Sequence, residues 1–258
     1  MMITSATLDR KGPSIVAVDP WAPRSSSKGK VPQLLTDEER TRLAIVASVV
    51  RFNKGDEIYR SGDHAQAIFK IISGVVKSYC DSDSVHIASF LFPDDVFGLS
   101  AEGQYTNSTK AMTPVTAYRF PTAALRGRLS KDAALDYHVI CKLCQELRHA
   151  QRHAFLLAQR HADAKIAMFL EMLEQVQVAK GSSGPEIYVP MDRSDIGEYV
   201  GLSLAAVSRT FRSLIRRGII KVRDRRHVAV VDRTAFQKIV AGGSARRVGG
   251  RVARGTRS

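Results

Sequence analysis

Cysteine is scarce: the chain of 258 residues has three, Cys80, Cys141 and Cys144. So few, so unevenly placed, exclude the disulfide framework of a small secreted domain. Long apolar runs are missing as well. No stretch approaches the roughly 20 residues that cross a bilayer, and the first residues lack the apolar core of a secretory signal, so no membrane role and a cytoplasmic location are expected. Acidic residues are in deficit: 25 Asp plus Glu stand against 39 Lys plus Arg, a net charge of +14. That imbalance suits a polyanionic partner. No Ser/His/Asp or Cys/His arrangement indicates a nucleophile with its base, and the chain reads as a non-enzyme.

What is present is ordered along the chain. Residues 1–33 mix Pro13, Pro20 and Pro23 with Ser25-Ser26-Ser27-Lys28-Gly29, too little apolar surface to offset ordering, and are expected to form a flexible tail. Trp21 is an aromatic that can dock from it. Thr36 followed by Asp37-Glu38-Glu39 predicts a helix start, with Leu43, Ile45 and Val46 on its apolar side and an end by Ser48. From Val49 to Pro121 the period changes. Short alternating runs (Val49–Phe52, Ala67–Ile72, Val75–Tyr79, His86–Phe92, Val115–Phe120) separated by turn residues predict an antiparallel barrel or sandwich.

Lys131 to Arg160 predicts one long helix. Ile140, Leu143, Leu147, Ala150, Ala154 and Leu157 recur at alternating steps of three and four, the seam of a two-stranded coiled coil. A homodimer is expected, the alternative being that this stripe packs on the chain's own barrel. A second helix, Asp163 to Val176, places Ile166, Phe169, Leu170 and Leu173 inward, and Gly181–Pro185 breaks before a strand at Glu186–Val189.

Met191 to Gly218 then predicts a helix-turn-helix. The first helix starts at Asp192 with Asp195 three residues on, and Gly201 marks the break. Ser203 caps a second helix whose Val207, Phe211, Leu214 and Ile215 form an inward stripe. Its other face carries Ser208, Arg209, Arg212, Arg216 and Arg217. The stretch from Gly218 to Val231 alternates like two strands around a polar turn and adds a wing. An Arg-rich helical face is ordinarily a solvated one; in a basic chain with a wing it reads as a major-groove element. Arg246, Arg247, Arg251, Arg254 and Arg257 punctuate the end, 241–258, expected to be a disordered basic tail that adds phosphate affinity without fixed geometry.

Four blocks in this order resemble the Crp/Fnr superfamily of bacterial transcription regulators: Gly55–Asp63, Phe69–Lys77, Phe92–Leu99, and Ser194–Ser203 with Val207-Ser208-Arg209. The resemblance covers about residues 34–240 and is nearest the Fnr and FixK branch. It implies an α+β chain with an N-terminal antiparallel β-roll, cyclic-nucleotide-binding-like and serving as sensor domain (34–130), a dimerisation helix (131–160) and a C-terminal winged helix-turn-helix (161–240). Double-stranded DNA and RNA polymerase are the implied partners. The clustered N-terminal cysteines of Fnr are missing, and a cluster needs about four thiolates. The Gly-Glu pair and the Arg that hold a cyclic nucleotide in the family are also missing from Gly98–Lys110, and Lys110 cannot form a guanidinium fork. Neither cofactor is expected.

The reading that follows is a homodimer on an inverted repeat. Arg209 is its base-reading residue, positioned to bond guanine O6 and N7, with Leu204, Ala205 and Ser208 beside it. The family usually has Glu where this chain has Ala205, which alters the preference at one base pair. Ser194, at the amide end of its helix, and Arg212, Arg216, Arg225 and Arg226 are candidate phosphate contacts. Two alternatives stay open: a cyclic-nucleotide-responsive binding module, and a redox-switched regulator using Cys80 or the Cys141/Cys144 pair, whose i, i+3 spacing equally fits packing on a helix. His149 and His153, four apart, can hold a metal or be solvated among Arg148 and Arg152, and no metal site is expected.

Overall fold

In the computed structural model, which describes residues 47–81, 85–100, 102–124, 133–181 and 184–242, the alternating stretch forms eight strands. These are β1 (Ser48–Phe52), β2 (Glu57–Tyr59), β3 (Ala67–Ser73), β4 (Val76–Asp81), β5 (Val85–Leu91), β6 (Val96–Phe97), β7 (Ser108–Ala111) and β8 (Val115–Pro121). They pair antiparallel in two four-stranded sheets, ordered β1-β8-β3-β6 and β2-β7-β4-β5. Side chains alternate across a strand, so Phe69, Ile71, Val76, Leu91, Phe97, Val115 and Ala117 are buried together inside the roll. Aromatics fill its end: Tyr59 stacks on Tyr105 at 3.6 Å, and Phe69 on Phe97 at 5.2 Å. Of these strands, β2, β6 and β7 were not legible from alternation. The first residues of the chain, the expected helix from Thr36 and Trp21 lie outside the described residues.

After the roll come α1 (Ala133–Leu157) and α2 (Ala162–Ala179), then β9 (Glu186–Tyr188), α3 (Arg193–Val200), α4 (Leu204–Arg216), the hairpin β10 (Ile220–Asp224) and β11 (His227–Val230), and α5 (Arg233–Gly242). The strand expected over Glu186–Val189 joins the hairpin through β11, making a three-stranded sheet. α5 was not foreseen. Asp232 accepts the Ala235 amide at 2.8 Å, and Phe236, Ile239 and Val240 return to the core at helical spacing. The basic tail expected from residue 241 therefore starts no earlier than 243, and the remainder of it lies outside the described residues.

A second apolar cluster unites the two halves of the chain. Val75, Tyr79, Ile87, Phe90, Phe92 and Met112 on the outer face of the second sheet share it with Phe169 and Leu170 of α2, Ile196 and Tyr199 of α3 and Phe211 of α4. Phe90 meets Tyr199 at 5.0 Å and Phe169 at 6.1 Å between ring centroids. The helix-turn-helix is thus seated directly on the roll.

Candidate nucleic-acid interface

The helix-turn-helix is built from its backbone outward. Asp192 caps α3 in a capping box with Asp195, and Gly201 ends it in the left-handed region at φ 65°, its amide returning to Gly197. Gly197 is needed for another reason: a Cβ there would lie 2.5 Å from the Leu202 carbonyl oxygen, so only glycine lets the turn close this tightly. Lys165 of α2, desolvated so that its pKa is lowered, donates to the Val200 carbonyl at the end of α3 at 2.9 Å. Ser203 accepts the Ala206 amide at 3.2 Å and starts α4.

α4 is sharply two-faced. Val207, Thr210, Phe211 and Leu214 are buried; Ile215, expected in the stripe, is 42% exposed. At 100° per residue Ile215 falls outside the arc from Thr210 to Phe211, and Thr210 takes the inward place instead. Arg193 of α3 lies over the Phe211 ring at 3.2 Å, and burial pushes its pKa down to about 10. This clamp between α3 and α4 had no signature in the sequence.

On the opposite face Leu204, Ala205, Arg209, Arg212 and Arg216 are exposed and Ser208 is half-exposed. Arg212 makes a long bond to the Ser208 carbonyl at 3.4 Å. Arg209 and Arg216, and Arg225 at the wing tip, have no hydrogen bond or ion pair with the described residues. Ser194 is exposed in the first turn of α3. Arg226 differs: its guanidinium donates to the Pro190 carbonyl and to Asp192, tying the wing turn to the start of α3. The Arg226 amide, with the His227 ring, holds the Asp224 carboxyl down at about 2. The cationic face, the helix start and the wing tip belong to one unit.

Along α1 the expected seam is exposed from end to end. Ile140 is 57%, Leu143 48%, Leu147 60% and Leu157 43% accessible, and Ala150 and Ala154 are exposed between them. Among the described residues none of these belongs to a buried core cluster, whereas Leu156 does. Cys144, next to the seam, and Cys80, at the end of β4 with its thiol 3.0 Å from Asn107 Oδ1, are both free and exposed. The Cys141 side chain lies outside the described ones. His153 is not solvated as expected. It stacks on Tyr199 at 4.0 Å, its Nε2 donates to the Tyr199 carbonyl at 2.7 Å, and desolvation lowers its pKa. Among the described residues no three of His, Cys, Asp and Glu gather to hold a metal, and no helix is long and apolar enough to cross a membrane.

Two family models match the chain. One is the Crp-like helix-turn-helix domain over residues 164–239, and the other the cyclic nucleotide-binding domain over 49–132. The nitrogen fixation regulation protein FixK of Bradyrhizobium diazoefficiens is 32% identical over 177 residues, which cover 67% of this chain and 74% of that protein. The regulatory protein HlyX of Actinobacillus pleuropneumoniae is 29% identical over 200 residues, 76% of this chain and 83% of its own. Among solved structures, FixK2 from Bradyrhizobium japonicum superposes with a TM-score of 0.70 at 26% identity, covering 75% of this chain and 97% of that one. Read with the two-faced α4, its wing and the roll beneath them, these likenesses make the chain a member of the Crp/Fnr family of transcription regulators, in its FixK-like branch, a DNA-binding protein and not an enzyme.

Proposed function

We propose that the protein acts in the cytoplasm as a homodimer on an inverted-repeat DNA site, as a sequence-specific regulator that meets RNA polymerase. The observation that carries this reading is the pairing of two exposed surfaces: a helix face whose Arg209 and Arg216 have no partner among the described residues, and an apolar seam on α1. Burying Leu143 and Leu147 against a second copy removes apolar surface from water, worth on the order of 1.5–3 kcal/mol for each fully buried side chain. The two copies of α4 then address major grooves one helical turn apart, about 34 Å.

In this reading Arg209 bonds guanine O6 and N7, Ser208 adds a hydroxyl, and Leu204 and Ala205 offer only apolar contact, which suits a thymine methyl. Arg212, Arg216, Arg225 and the helix start at Ser194 meet phosphates. Arg226 serves mainly to fix the wing turn, given its bonds to Pro190 and Asp192. The roll works without a cyclic nucleotide. Supporting this, Tyr105, from the very loop where family members hold the ligand, turns inward onto Tyr59, and its hydroxyl donates to the Ala67 carbonyl at 2.7 Å. An iron–sulfur cluster is likewise left out of the mechanism, on the count of thiols.

The test is a mobility-shift titration on sites selected from random DNA. The parent protein should enrich a palindrome, and Arg209→Ala should lose discrimination at one base pair per half-site by about 1–3 kcal/mol. Equal selectivity in that variant removes Arg209 from base reading. Calorimetry showing saturable cyclic-nucleotide binding would favour the nucleotide-responsive alternative, and DNA binding that changes between oxidised and reduced protein would favour the thiol switch.

A further inference from the structure

Lys77 of β4 and Lys110 of β7 are register partners across an antiparallel pair, so their side chains leave the same face of the second sheet about 5 Å apart at Cβ. That face is the outer one: Tyr79, two residues along β4, lies in the apolar cluster shared with the C-terminal helices. Directly opposed like charges destabilise a sheet unless something compensates them. For Lys77 the compensation is Asp195, 2.7 Å away in α3, with the two side chains 17% and 15% exposed. Lys110 has none. Its other register partner, Glu57 of β2, is bonded to Arg60 and Tyr79, and no ion pair reaches Lys110 from the described residues.

Lys54, in the β1–β2 turn, brings a third ammonium to the same place. The crevice between this face and the start of α3 has a volume of about 150 Å³ and is lined by these three lysines with Met112, Asp192 and Asp195. Both carboxylates are already neutralised, Asp195 by Lys77 and Asp192 by Arg226 at 3.0 Å. Lys54 and Lys110 are therefore in excess. A volume of this order accepts a guest about the size of benzene, the scale of a phosphate or a short dicarboxylate.

We propose that this crevice is a binding site for a small multivalent oxyanion, held by Lys54 and Lys110 and by Lys77 in competition with Asp195. An anion that draws Lys77 from Asp195 weakens the one ion pair joining the second sheet to α3 among the described residues. Occupancy is thereby coupled to the seating of the helix-turn-helix on the roll, and the coupling is reciprocal.

Met112 supplies a local reporter. The full chain carrying ¹³C-methyl methionine is titrated with inorganic phosphate at constant ionic strength, with chloride as the exchanged ion. The Met112 methyl should shift saturably. The shift should vanish in Lys54→Gln/Lys110→Gln and persist in Arg209→Ala/Arg225→Ala, which disarms the DNA-facing surface. Asp195→Asn should tighten phosphate several-fold, because the competing carboxylate is gone. The buried Met191 methyl, unmoved in each variant, certifies the fold, and Lys110→Arg, which keeps the charge, should retain binding. A drift without saturation, a shift that survives loss of both lysines or depends on the arginines, or an affinity unchanged by Asp195→Asn would overturn the proposal.

Discussion

Arg209 and Arg226 carry the same charge in different circumstances. Arg209 is exposed and makes no bond with the described residues; Arg226 is engaged by Pro190 and Asp192. Substituting each should separate them. Arg209→Ala should leave thermal stability unchanged and alter only DNA selectivity, whereas Arg226→Ala should also lower the melting temperature, read by circular dichroism, since it frees the Pro190 carbonyl and the Asp192 carboxylate. Arg225→Ala should weaken all DNA sequences alike and flatten the salt dependence by close to one unit of slope. Both arginines look alike in sequence because charge is legible there and partners are not. The same holds for His153, which stood as a solvated or metal-binding residue and is instead stacked on Tyr199. Its folded pKa is lowered from 6.5 by desolvation, so the unfolded chain binds more protons between the lowered value and 6.5. Stability should therefore fall as pH drops below about 6.5, and His153→Gln should flatten that slope in denaturant titrations across the same window; an identical slope would remove His153 from it.

Helices gave themselves away through caps and stripes, strands through alternation, and each failed where the element was too short or too mixed. α3 and α4 were readable because Asp192, Asp195, Gly201 and Ser203 are the residues their ends require. β2, β6 and β7 are three, two and four residues long, under the length at which a period of two can be told from chance. β7 even reads Ser-Thr-Lys-Ala, polar, though Ser108 and Thr109 are buried. The turn between α3 and α4 yields its own test. Gly197→Ala forces a Cβ against the Leu202 carbonyl and should cost about 1–3 kcal/mol, as overpacking does, measured by urea unfolding. For α1, Leu147→Glu places a charge in the middle of the exposed seam. Sedimentation should show the parent as a dimer and the variant as a monomer with an unchanged circular dichroism spectrum; a parent that sediments as a monomer would dismiss the seam as an interface.

At the scale of the whole molecule, the described residues gather into two cores of unequal reach. One is confined to the roll, and the other runs from the outer face of the second sheet through α2, α3 and α4 to α5. Sequence order alone announced a roll, a long helix and a winged helix-turn-helix; it did not announce that Phe90 would meet Tyr199 or that Lys77 would bridge to Asp195, because those contacts join residues more than a hundred positions apart. They place the roll's second sheet directly against α3. Two such chains should read one symmetric site with Arg209 at the bases. Hydroxyl-radical footprinting of this chain on its own selected DNA decides the point. Two protected patches related by two-fold symmetry and centred about 10 base pairs apart are expected, with Arg209→Ala losing discrimination at one base pair per half-site, so that its protection of the selected site relative to unselected DNA is weakened. A single protected half-site, or an Arg209→Ala footprint indistinguishable from the parent's, would contradict it.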